Sequence, residues 1–545
     1  MLGQYEGLLQ KMVSLQNLLP LIYNRDMKIA VAQLNFTCGD FENNKFKIID
    51  AIAQAKSQGA KLVVFAEEAI TGVPAHSLLV RGSFLDKAEQ ALVEIAAFCD
   101  DIAVLVGLPI RRYGGTVSAV AYIKNRHVRK YVTKKTLAGD VDAAYMTSGR
   151  GYEYINLAGE KLAVVVGADF MLDHDFSDSK TIVVIGADRY HQGRIEKRYE
   201  KLAHKAFMAD ANVLFVNHVG GSSEFVYDGS SAFFNARGGA VALLKSFEEE
   251  IRYVDTEDTE NSIEVPYQDK IANVYCALKL SVSDYFRKNH PNKKACIVLT
   301  GGIDSSVAAT ILVDALGANR VVALQMPSRY SNDHSADDAE MLARTLGIQL
   351  MTIPLSEIYR GSLDTIVSAI GAPDRKKLEV DFQLRLRTTL FMAVCEKWGY
   401  VPINSSNKTE LAVGALTLYG DTAGMLGMLG DLYKTDVYAL ARHINSHREV
   451  IAEQTMLKAP SSEMQLQENG EQTLPPYDVI DAILYRLLEC WQTHDEIVEA
   501  GFEDVDVKLV RSLIYGSLEK IYQFCPIVEV SSMPLDKSYV DLPLA

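Results

Sequence analysis

The stretch Ala295-Cys-Ile-Val-Leu-Thr-Gly-Gly-Ile-Asp-Ser-Ser306 decides the fold of this chain. Residues 296–299 form a short apolar run, which is typical of a buried strand in a parallel sheet. The two glycines then turn the chain, and residues 305–316 predict a helix. Backbone N–H groups at a glycine turn and the positive end of a helix dipole both attract anions. The stretch therefore predicts a strand, a turn and a helix that together hold phosphate.

The turn in this stretch is not of the Walker type, because no Gly-Lys-Ser/Thr sequence closes it. It resembles the Ser-Gly-Gly-x-Asp-Ser pyrophosphate loop of ATP pyrophosphatases, with Thr300 at the place of the first serine. Those enzymes cleave ATP between its α- and β-phosphates and transfer AMP to a substrate. The alternative is an ordinary strand–turn–helix unit without a ligand, against which Asp304 and the adjacent Ser305 and Ser306 argue.

Length and composition limit the classes of protein that fit. A chain of 545 residues allows roughly two to four domains. Hydrophobic residues make up 48% and charged residues 23%, as in ordinary globular proteins. The net charge of −15 argues against a nucleic-acid partner, because binding a polyphosphate strand requires a basic surface. ATP binding remains compatible with an acidic chain if basic residues gather at the site.

Cysteine usage indicates the redox setting of the protein. The seven cysteines are scattered, odd in number and without a Cys-x-x-Cys pair, which excludes the usual zinc spacings. This pattern favours a reducing compartment. No apolar run approaches the roughly 18–20 residues that a membrane helix requires. We therefore predict a cytoplasmic protein without a membrane partner.

Residues 1–26 precede the first predicted strand, and we expect them to be an N-terminal extension. Polar residues and Pro20 interrupt their apolar part, and no small-residue cleavage site follows, so a signal peptide is not expected. Because the strand pattern begins so abruptly at Met27, we expect Met27 to be the natural first residue.

The first half of the chain, residues 27–254, alternates apolar strands with amphipathic helices. The series starts with a strand at 29–33, a helix at 43–57 and a strand at 62–65. Further strand-like runs are 102–107, 119–123, 162–166, 181–185 and 213–217. This rhythm is typical of sheets covered by helices. Glu67 lies just past a strand end, where α/β folds place their chemistry, although a carboxylate there is often only a solvated loop residue.

Two stretches of this half, Ala32-Gln-Leu-Asn35 and Phe65-Ala-Glu-Glu-Ala-Ile-Thr-Gly-Val-Pro74, resemble the opening of nitrilase-type amidohydrolases. Within this class they resemble most specifically the glutaminase domain of glutamine-dependent NAD synthetases. This resemblance implies a nitrilase-like αββα sandwich over 27–254. In that family a glutamate acts as general base, a lysine stabilises the oxyanion and a cysteine attacks the amide. Glu67 matches the glutamate. Lys134 matches the lysine, with Lys135 as the alternative one residue later.

The cysteine of that family has no counterpart at the matching position. The family places it directly after an apolar strand, in a Cys-Glu-Asp triplet, whereas residues 162–166 lead into Gly167-Ala-Asp169. A site without its nucleophile loses covalent catalysis, which costs roughly 10⁴- to 10⁶-fold in studied hydrolases. We therefore expect a domain that has kept the fold and lost glutaminase activity. The alternative is a displaced cysteine, but Cys38 follows the first strand and Cys99 ends a helix.

Other positions of the glutaminase family have changed in the same direction. Asp140 stands near the place of a tyrosine and Asp188 at that of a serine, whereas Arg194 keeps a cation at the family's basic position. Residues 216–230 match the closing segment of the family, so the fold prediction does not depend on the altered site.

The second half begins after residues 248–264, which are rich in acids and threonine and lack clear periodicity. They predict a solvated connection, with the linker proper at 255–270 and the second domain at 271–545. A helix at 271–288, the phosphate-binding stretch, strands at 321–326 and 348–353 and a helix at 335–346 follow. Three strand–helix units in a row predict a doubly wound parallel sheet, with its site at the carboxyl ends of the strands.

A second strand-to-helix turn follows a long helix predicted at 382–397 and a strand at 400–403. The sequence Asn404-Ser-Ser-Asn-Lys-Thr-Glu-Leu-Ala-Val-Gly414 resembles the Thr-Gly-Asn-Lys-Ser-Glu of NAD synthetases. Leu418-Tyr-Gly-Asp421 and Asp431-Leu-Tyr-Lys-Thr435 extend the likeness. A plain helix cap at 404–410 is the alternative. The resemblance covers about 27–531 and implies an ATP-pyrophosphatase (adenine nucleotide alpha hydrolase-like) fold for the second domain.

The resemblance to NAD synthetases implies an ATP-dependent carbon–nitrogen ligase. The family joins ammonia to the nicotinate carboxylate of deamido-NAD, which ATP first converts to an acyl-adenylate with release of pyrophosphate. Mg²⁺, which takes oxygen ligands, is implied as the ion that neutralises phosphate charge. Because of Gly167 we expect ammonia as the nitrogen donor in preference to glutamine. Family members are commonly homo-oligomers, so an oligomer is implied as well.

The same resemblance assigns roles to residues of the second domain. Contacts with ATP are implied for Thr300, Gly301, Gly302, Asp304, Ser305, Ser306, Ser405 and Lys408. Contacts with deamido-NAD are implied for Asp381, Arg385, Asn407, Glu410 and Lys520. Asp304 and Glu410 are the implied metal ligands, and Lys434 and Asp421 the implied catalytic groups.

The second domain departs from the family at two places in this part of the chain. Asp381 replaces an asparagine, and Lys520 is the one cation kept from a basic C-terminal motif. Residues 464–472, between two proline-containing family motifs, are polar and predict a mobile flap over the site.

Two other functions compete with the ligase. A carbon–nitrogen hydrolase with an accessory nucleotide domain would require a nucleophile where Gly167 stands. A non-catalytic or regulatory paralogue fits Gly167, Asp381 and the reduced basic motif. The retained residues Gly301, Gly302, Asp304, Asn407, Lys408 and Glu410 favour an active synthetase.

Overall fold

The computed structural model describes residues 27–137, 140–172, 174–327, 333–371, 375–457 and 474–535. These residues form two compact units. The first contains the described residues up to Arg189, Arg194–Gly220 and Tyr227–Tyr267, and the second contains Tyr190–Gly193, Gly221–Val226 and those from Gln268 onward. The predicted extension at 1–26 and the predicted flap at 464–472 lie outside the described residues.

The first unit contains two six-stranded sheets. The first sheet comprises β1 (Lys28–Gln33), β2 (Leu62–Phe65), β3 (Ala103–Arg112), β4 (Gly115–Lys124), β5 (His127–Thr133) and β14 (Glu250–Asp255), in the order β14-β1-β2-β3-β4-β5. The second comprises β6 (Glu153–Leu157), β7 (Glu160–Val166), β8 (Thr181–Ile185), β9 (Asn212–Val216), β12 (Ala232–Phe234) and β13 (Ala240–Leu243), in the order β13-β12-β9-β8-β7-β6. A separate hairpin pairs β10 (Val219–Ser222) with β11 (Phe225–Asp228).

The two sheets pack face to face, and helices cover their outer faces. Side chains of both sheets, among them Val31 and Val164, form one buried core. The helices α1 (Phe41–Ser57), α2 (Gly82–Ala96), α3 (Asp140–Tyr145) and α4 (Arg194–Ala209) complete the unit. Ile48 of α1 packs on the first sheet, and Tyr199 of α4 lies 6.0 Å, between ring centroids, from Phe234 of the second. The predicted αββα sandwich is confirmed.

The acid-rich segment at 248–264 corrects one prediction. Residues Glu250–Asp255 are not a solvated connection but strand β14, which pairs antiparallel with β1. Val254 is buried in the core between the sheets, and Ile251 and Tyr253 on the opposite face pack against the core under the helices. Glu250 and Arg252, on the same face as Val254, pair with each other at the sheet edge, so the acidic composition hid the strand in the sequence. The domain limits at 254 and 270 stay a prediction.

The second unit is built on a five-stranded parallel sheet. Its strands are β15 (Ala295–Val298), β16 (Val321–Gln325), β17 (Gln349–Thr352), β18 (Val401–Asn404) and β19 (Leu426–Gly427), in the order β17-β16-β15-β18-β19. The predicted doubly wound sheet is confirmed. The strand order reverses between β15 and β18, and such a reversal opens a crevice beyond the carboxyl ends of the two strands. The glycine-bearing turn after β15 and the asparagine-bearing turn after β18 therefore both begin at this crevice.

The helices of the second unit flank the sheet and form a C-terminal cluster. The described ones are α5 (Lys270–Asn289), α6 (Ile303–Leu316), α7 (Asp333–Leu346), α8 (Ser356–Ile370), α9 (Arg375–Trp398), α10 (Lys408–Ala412), α11 (Lys434–His447), α12 (Glu453–Leu457), α13 (Tyr477–Leu488), α14 (His494–Glu499) and α15 (Asp504–Gln523). Helices α13 to α15 share a buried apolar core with residues 411–416. Among the described residues, no helix combines the length and apolar character needed to cross a bilayer.

Candidate active sites

The phosphate-binding turn joins β15 to α6. Gly301 has a φ of +74°, which L side chains rarely adopt, and Gly302 caps the helix in an extended conformation. Ser305 and Ser306 donate hydrogen bonds to the Gly302 carbonyl at 3.1 and 2.8 Å, and the Thr300 hydroxyl accepts one from the Gly302 N–H at 3.2 Å. The predicted hydroxyls thus hold the shape of the turn, while Thr300 itself stays exposed.

The second turn joins β18 to α10. Asn404 ends the strand, accepts a hydrogen bond from the Ser406 N–H at 2.8 Å and donates one to the Asp421 carbonyl at 2.6 Å. Asn407 caps α10 in a reciprocal box: its side chain accepts from the Glu410 N–H at 3.0 Å, and Glu410 accepts from the Asn407 N–H at 3.2 Å. The helix cap considered from the sequence is therefore present, and it orients both side chains.

The two turns meet at Asp304, the first charged residue of α6. The Asn407 amide donates to one oxygen of Asp304 at 2.9 Å, and the Lys434 ammonium lies 2.5 Å from the other. The same ammonium lies 3.7 Å from a carboxylate oxygen of Glu410. Residues more than a hundred positions apart in the chain therefore form one cluster, which we call the four-residue cluster: Asp304, Asn407, Glu410 and Lys434.

The four-residue cluster carries two acids for one cation. Burial and the charge of Asp304 together raise the pKa of Glu410 to about 7, although the charge of Lys434 opposes the change. Burial alone would lower the pKa of Lys434, but Asp304 and Glu410 raise it above its ordinary value. Lys434 is therefore a permanent cation, and the acids exceed it by one.

The donor set of the cluster fits Mg²⁺. Both carboxylates already face one cation, and Mg²⁺ in phosphate-handling sites is commonly bound by one or two carboxylates together with substrate phosphates. Within the described ranges no group of three or more His, Cys, Asp or Glu side chains could hold a metal on its own. Asp304 and Glu410 would hold the ion together with phosphate oxygens.

Other predicted substrate residues surround the loop 417–421. Asp381 accepts a hydrogen bond from the Thr417 hydroxyl at 3.0 Å, Arg385 donates to the Leu418 carbonyl at 3.0 Å, and Asp421 accepts from the Thr417 N–H at 2.6 Å. Ser405 is half-buried at the end of β18, and Lys520 donates to the Gly414 carbonyl. These contacts fix the loop, and the contacts with substrate stay a prediction.

Lys408 requires a correction. Its side chain is fully buried, and its ammonium lies 2.7 Å from both the Ser531 hydroxyl and the Met533 carbonyl, 3.1 Å from Glu489 and 3.2 Å from Asp431. An ammonium with these partners and no exposure is not available to a nucleotide. Consecutive residues of a helix point about 100° apart, so the residue after Asn407 faces away from Asp304.

Sequence reasoning missed Asp481, which binds two residues adjacent in sequence to members of the four-residue cluster. Asp481 accepts hydrogen bonds from the Thr409 hydroxyl at 2.5 Å and from the Thr435 N–H at 2.8 Å, and Thr409 in turn accepts from the Lys434 N–H at 2.9 Å. The signal for this role was an acid on the apolar face of α13, beside Ile480 and Leu484.

The first unit holds a second acid–lysine pair, just after β2. Glu67 and Lys134 are both buried, with the ammonium 3.0 Å from a carboxylate oxygen that also accepts from the Ser118 hydroxyl at 2.7 Å. Asp169 accepts from the N–H groups of Lys135 and Thr136 at 2.7 and 2.6 Å, which fixes the segment that carries Lys134. The structure thus places Lys134, and not the alternative Lys135, beside Glu67, while the catalytic role of this lysine stays a prediction.

Gly167 faces this pair. A Cβ atom built on Gly167 would lie 2.9 Å from a Glu67 oxygen and 3.2 Å from Lys134 Cε, and the φ of Gly167 is +52°. Residue 167 is therefore the position from which a side chain would reach the acid and the lysine. Cys99 lies elsewhere, buried at the end of α2 with its thiol bonded to the Ile95 carbonyl at 3.3 Å.

Asp188 and Arg194 belong to a separate ionic network on the first unit. Arg194 contacts both oxygens of Asp188, at 2.5 and 3.0 Å, and Arg198 bridges Asp188 to the buried Asp228 at 2.7 Å each. Burial would raise the pKa of Asp188, but Arg198 and Arg194 lower it to about 2. Two acids and two guanidinium groups thus neutralise each other.

Comparisons with known proteins match both halves of the chain. The NAD synthase family matches residues 274–522, and the carbon-nitrogen hydrolase family matches residues 28–259. The chain is 32% identical to the glutamine-dependent NAD(+) synthetase of Synechocystis, over 92% of this chain and 96% of the relative. It is 31% identical to the enzyme of the same description from Thermotoga maritima, over 94% and 97%.

Solved structures show the same likeness. The structure of a glutamine-dependent NAD+ synthetase from Acinetobacter baumannii in complex with ADP has 28% sequence identity and a TM-score of 0.76, covering 94% of this chain and 97% of that one. A structure from Cytophaga hutchinsonii, 20% identical, covers 94% and 96% at a TM-score of 0.82, which shows the shared fold.

Proposed function

Because the chain belongs to the glutamine-dependent NAD(+) synthetase family, we propose that it makes NAD from deamido-NAD, ATP and ammonia. The observation that supports this best is the four-residue cluster at the reversal of strand order in the second unit. A cluster of this kind beside a glycine turn suits a nucleotide triphosphate and a carboxylate that must be activated.

The first chemical step is the activation of the nicotinate carboxylate. One of its oxygens attacks the α-phosphorus of ATP, the bond from that phosphorus to the bridging oxygen of the β-phosphate breaks, and pyrophosphate leaves. Backbone N–H groups of the turn at 300–305 would hold the phosphates, and Lys434 would stabilise the charge that develops on them. Asn407 holds the carboxylate of Asp304 in place during this step.

The second step forms the amide. Ammonia attacks the acyl carbon, the bond to the AMP oxygen breaks, and AMP leaves with its electron pair while the nitrogen loses a proton. Mg²⁺ held by Asp304 and Glu410 would supply neutralisation of phosphate charge. Asp421, whose backbone carbonyl binds Asn404 next to the cluster, is proposed to assist catalysis.

The contacts with substrates are proposed from the same family resemblance. Thr300, Gly301, Gly302, Ser305, Ser306 and Ser405 would contact ATP, and Asp381, Arg385 and Lys520 would contact deamido-NAD. Residues 300–302 and Ser405 lie in the turns at the crevice, and Ser305 and Ser306 lie in the first turn of α6. Asp381, Arg385 and Lys520 contact the stretch 414–418. These positions support the assignment, and Lys408 is left out of it because its ammonium is enclosed.

The nitrogen is proposed to come from ammonia. Glycine at position 167 offers no nucleophile to the Glu67–Lys134 pair that it faces. An acyl-transfer site without a nucleophile is slower by roughly 10⁴- to 10⁶-fold in studied hydrolases. The first unit would then serve as a scaffold without glutaminase activity. We also propose a cytoplasmic homo-oligomer, which fractionation and light scattering would test.

One experiment tests the proposal. The purified protein is incubated with deamido-NAD, ATP and Mg²⁺ and either ammonium or glutamine, and NAD and AMP are followed. Formation of both products with ammonium alone is the expected result. Equal rates with glutamine would show that glutamine is still cleaved, and no product from either donor would favour the non-catalytic paralogue.

A further inference from the structure

The C-terminal segment 527–533 of the second unit contains none of the residues proposed for the adenylation chemistry. It nevertheless contacts residues that lie close in sequence to the four-residue cluster. Ile527, Val528 and Val530 are buried, and residue 527 pairs in parallel with Gly427 of β19. A Cβ on Gly430 would lie 2.5 Å from Ile527 Cγ2, so the segment packs tightly against the stretch that precedes Lys434.

Polar contacts fasten this segment at Asp431. The carboxylate of Asp431 is buried and accepts from the N–H groups of Val530 and Ser531 at 2.8 and 2.6 Å and from the Ser531 hydroxyl at 2.7 Å. The Lys408 ammonium completes the arrangement, 2.7 Å from the same hydroxyl. Ser531 therefore touches both buried charges, and together with Lys408 and Asp431 it forms what we call the Ser531 clamp.

The Ser531 clamp is adjacent in sequence to the four-residue cluster on both sides. Lys408 directly follows Asn407, and Asp431 stands three residues before Lys434. The backbone joins the two stretches, because the Lys408 N–H donates to the Leu432 carbonyl at 2.8 Å. Both groups that bind Asp304 are thus carried by backbone that the clamp holds.

The outer edge of the segment is held as well. The Gln192 N–H donates to the Val530 carbonyl at 2.8 Å, and the Glu529 N–H donates to the Glu224 carbonyl at 2.9 Å. Residues 190–193 and 221–226 belong to the second unit although they stand early in the chain. The segment therefore lies between these two stretches and the clamp.

From these contacts we propose that Lys408, Asp431 and Ser531 are positioning residues for the adenylation site. Their role is to set Asn407 and Lys434 against Asp304, and so to set the affinity for Mg²⁺ and nucleotide. A buried charged pair that cannot reach the substrate can still matter for catalysis, because it holds the backbone that carries the catalytic groups. Such groups need placement to within a fraction of an ångström. The inference rests on the proposed function, since it concerns the same site.

The test replaces the hydroxyl that touches both charges. Ser531→Ala removes two side-chain hydrogen bonds and leaves the ion pair, whereas Ser531→Thr keeps a hydroxyl. Ser512→Ala is the matched control, because Ser512 is exposed on α15 and bonds only its own helix, through the Leu509 carbonyl. The expected result for Ser531→Ala is an increase of about 5- to 10-fold in the Mg²⁺ concentration that gives half-maximal NAD formation. The KM for ammonium stays unchanged, and Ser531→Thr restores the wild-type value.

A mere loss of folded protein lowers kcat but cannot shift the Mg²⁺ dependence. A Mg²⁺ dependence of Ser531→Ala equal to that of Ser512→Ala would overturn the inference, while wild-type NAD formation would leave the proposed function intact. If the wild type makes no NAD, the proposed function fails instead. Amide exchange at 404–410 and 431–434 then decides the inference: it is faster in Ser531→Ala than in Ser512→Ala if the clamp positions the cluster, and equal if it does not.

Discussion

The two acid–lysine sites of this molecule differ in charge balance. In the first unit the buried carboxylate of Glu67 lies 3.0 Å from the Lys134 ammonium. In the second unit Asp304 and Glu410 share Lys434. A balanced buried pair is satisfied on its own, whereas an excess acid calls for a further cation or a proton. The second site is thus prepared for a further cation.

The same contrast extends to the charges around each site. In the first unit Asp188 and Asp228 are matched by Arg194 and Arg198. In the second unit burial and the nearby Asp481 together raise the pKa of Asp436 to about 6. Asp436, two residues after Lys434, is therefore an acid whose charge the fold disfavours.

We expect the largest effect on the rate of NAD formation when the acids of the two sites are replaced in turn. Asp304→Asn is expected to lower ammonium-dependent NAD formation by about 10²- to 10³-fold, because it removes a carboxylate from the site of charge development. Glu67→Gln is expected to leave that rate unchanged. Steady-state NAD formation measures both variants. A comparable loss in Glu67→Gln would mean that the first unit takes part in the ammonium reaction.

The lysines are expected to differ in stability. Lys134→Met leaves Glu67 buried without its cation, which costs about 3–5 kcal/mol when a buried pair is broken. Lys434→Met is expected to cost less, since the side chains of Asp304 and Glu410 are 18% and 19% exposed and Glu410 can take up a proton. Calorimetric unfolding of both variants at one pH compares them. Equal losses would contradict the contrast in charge balance.

The glycine of the first site is expected to resist substitution. Gly167→Cys places a Cβ 2.9 Å from a Glu67 oxygen at a φ of +52°, and such backbone strain costs about 1–3 kcal/mol. We expect a lower unfolding temperature and no gain of glutamine-dependent NAD formation. Gly361→Ala is the control, because a Cβ there meets nothing within 4 Å. Efficient glutamine use by Gly167→Cys would show that only the thiol was missing.

The smallest effects concern pH and have opposite signs in the two units. The folded pKa of Asp188 is lowered to about 2, so its contribution is present above the ordinary value near 3.8 and is lost as the pH falls toward 2. The folded pKa of Asp436 is raised to about 6, so its charge destabilises the fold progressively as the pH rises from about 4 through 6. At pH 7 we expect Asp188→Asn to destabilise and Asp436→Asn to stabilise the protein, each by about 1–2 kcal/mol.

Unfolding free energies measured from pH 4 to pH 8 check these signs. The advantage of Asp436→Asn over the wild type should shrink as the pH falls toward 4, because the carboxyl is then protonated in the folded chain and about half protonated in the unfolded chain. A pH-independent difference would assign the effect to packing and not to charge.

Much of the fold was predictable because its strands are buried runs. Residues 62–65 and 181–185 read as strands in the sequence and form β2 and β8 with the same limits, since a strand buried on both faces is apolar throughout. Strand β14 was missed because it lies in the acid-rich stretch 248–264 and because its partner, β1, stands more than two hundred residues earlier. Pairing over that distance leaves no local signal.

The sites were predictable in part. Asn407 and Glu410 stand three residues apart, so they share a helix face, and a short turn before a helix makes them a cap. Lys408 belongs to the same stretch, 404–414, that resembles the NAD synthetases, yet its side chain points into the protein interior. Asp481 was missed because its partners, Thr409 and Thr435, come from other elements.

The sequence by itself determined the local pieces: two glycine- and asparagine-bearing turns after apolar strands, a glycine at residue 167 and the family to which they point. Only the tertiary structure decided which charges meet. It placed Lys434 between Asp304 and Glu410, and it enclosed Lys408 against Asp431. The reason is physical: strand and helix formation depend on neighbours in sequence, whereas the balance of buried charge depends on side chains that only folding brings within a few ångströms of each other.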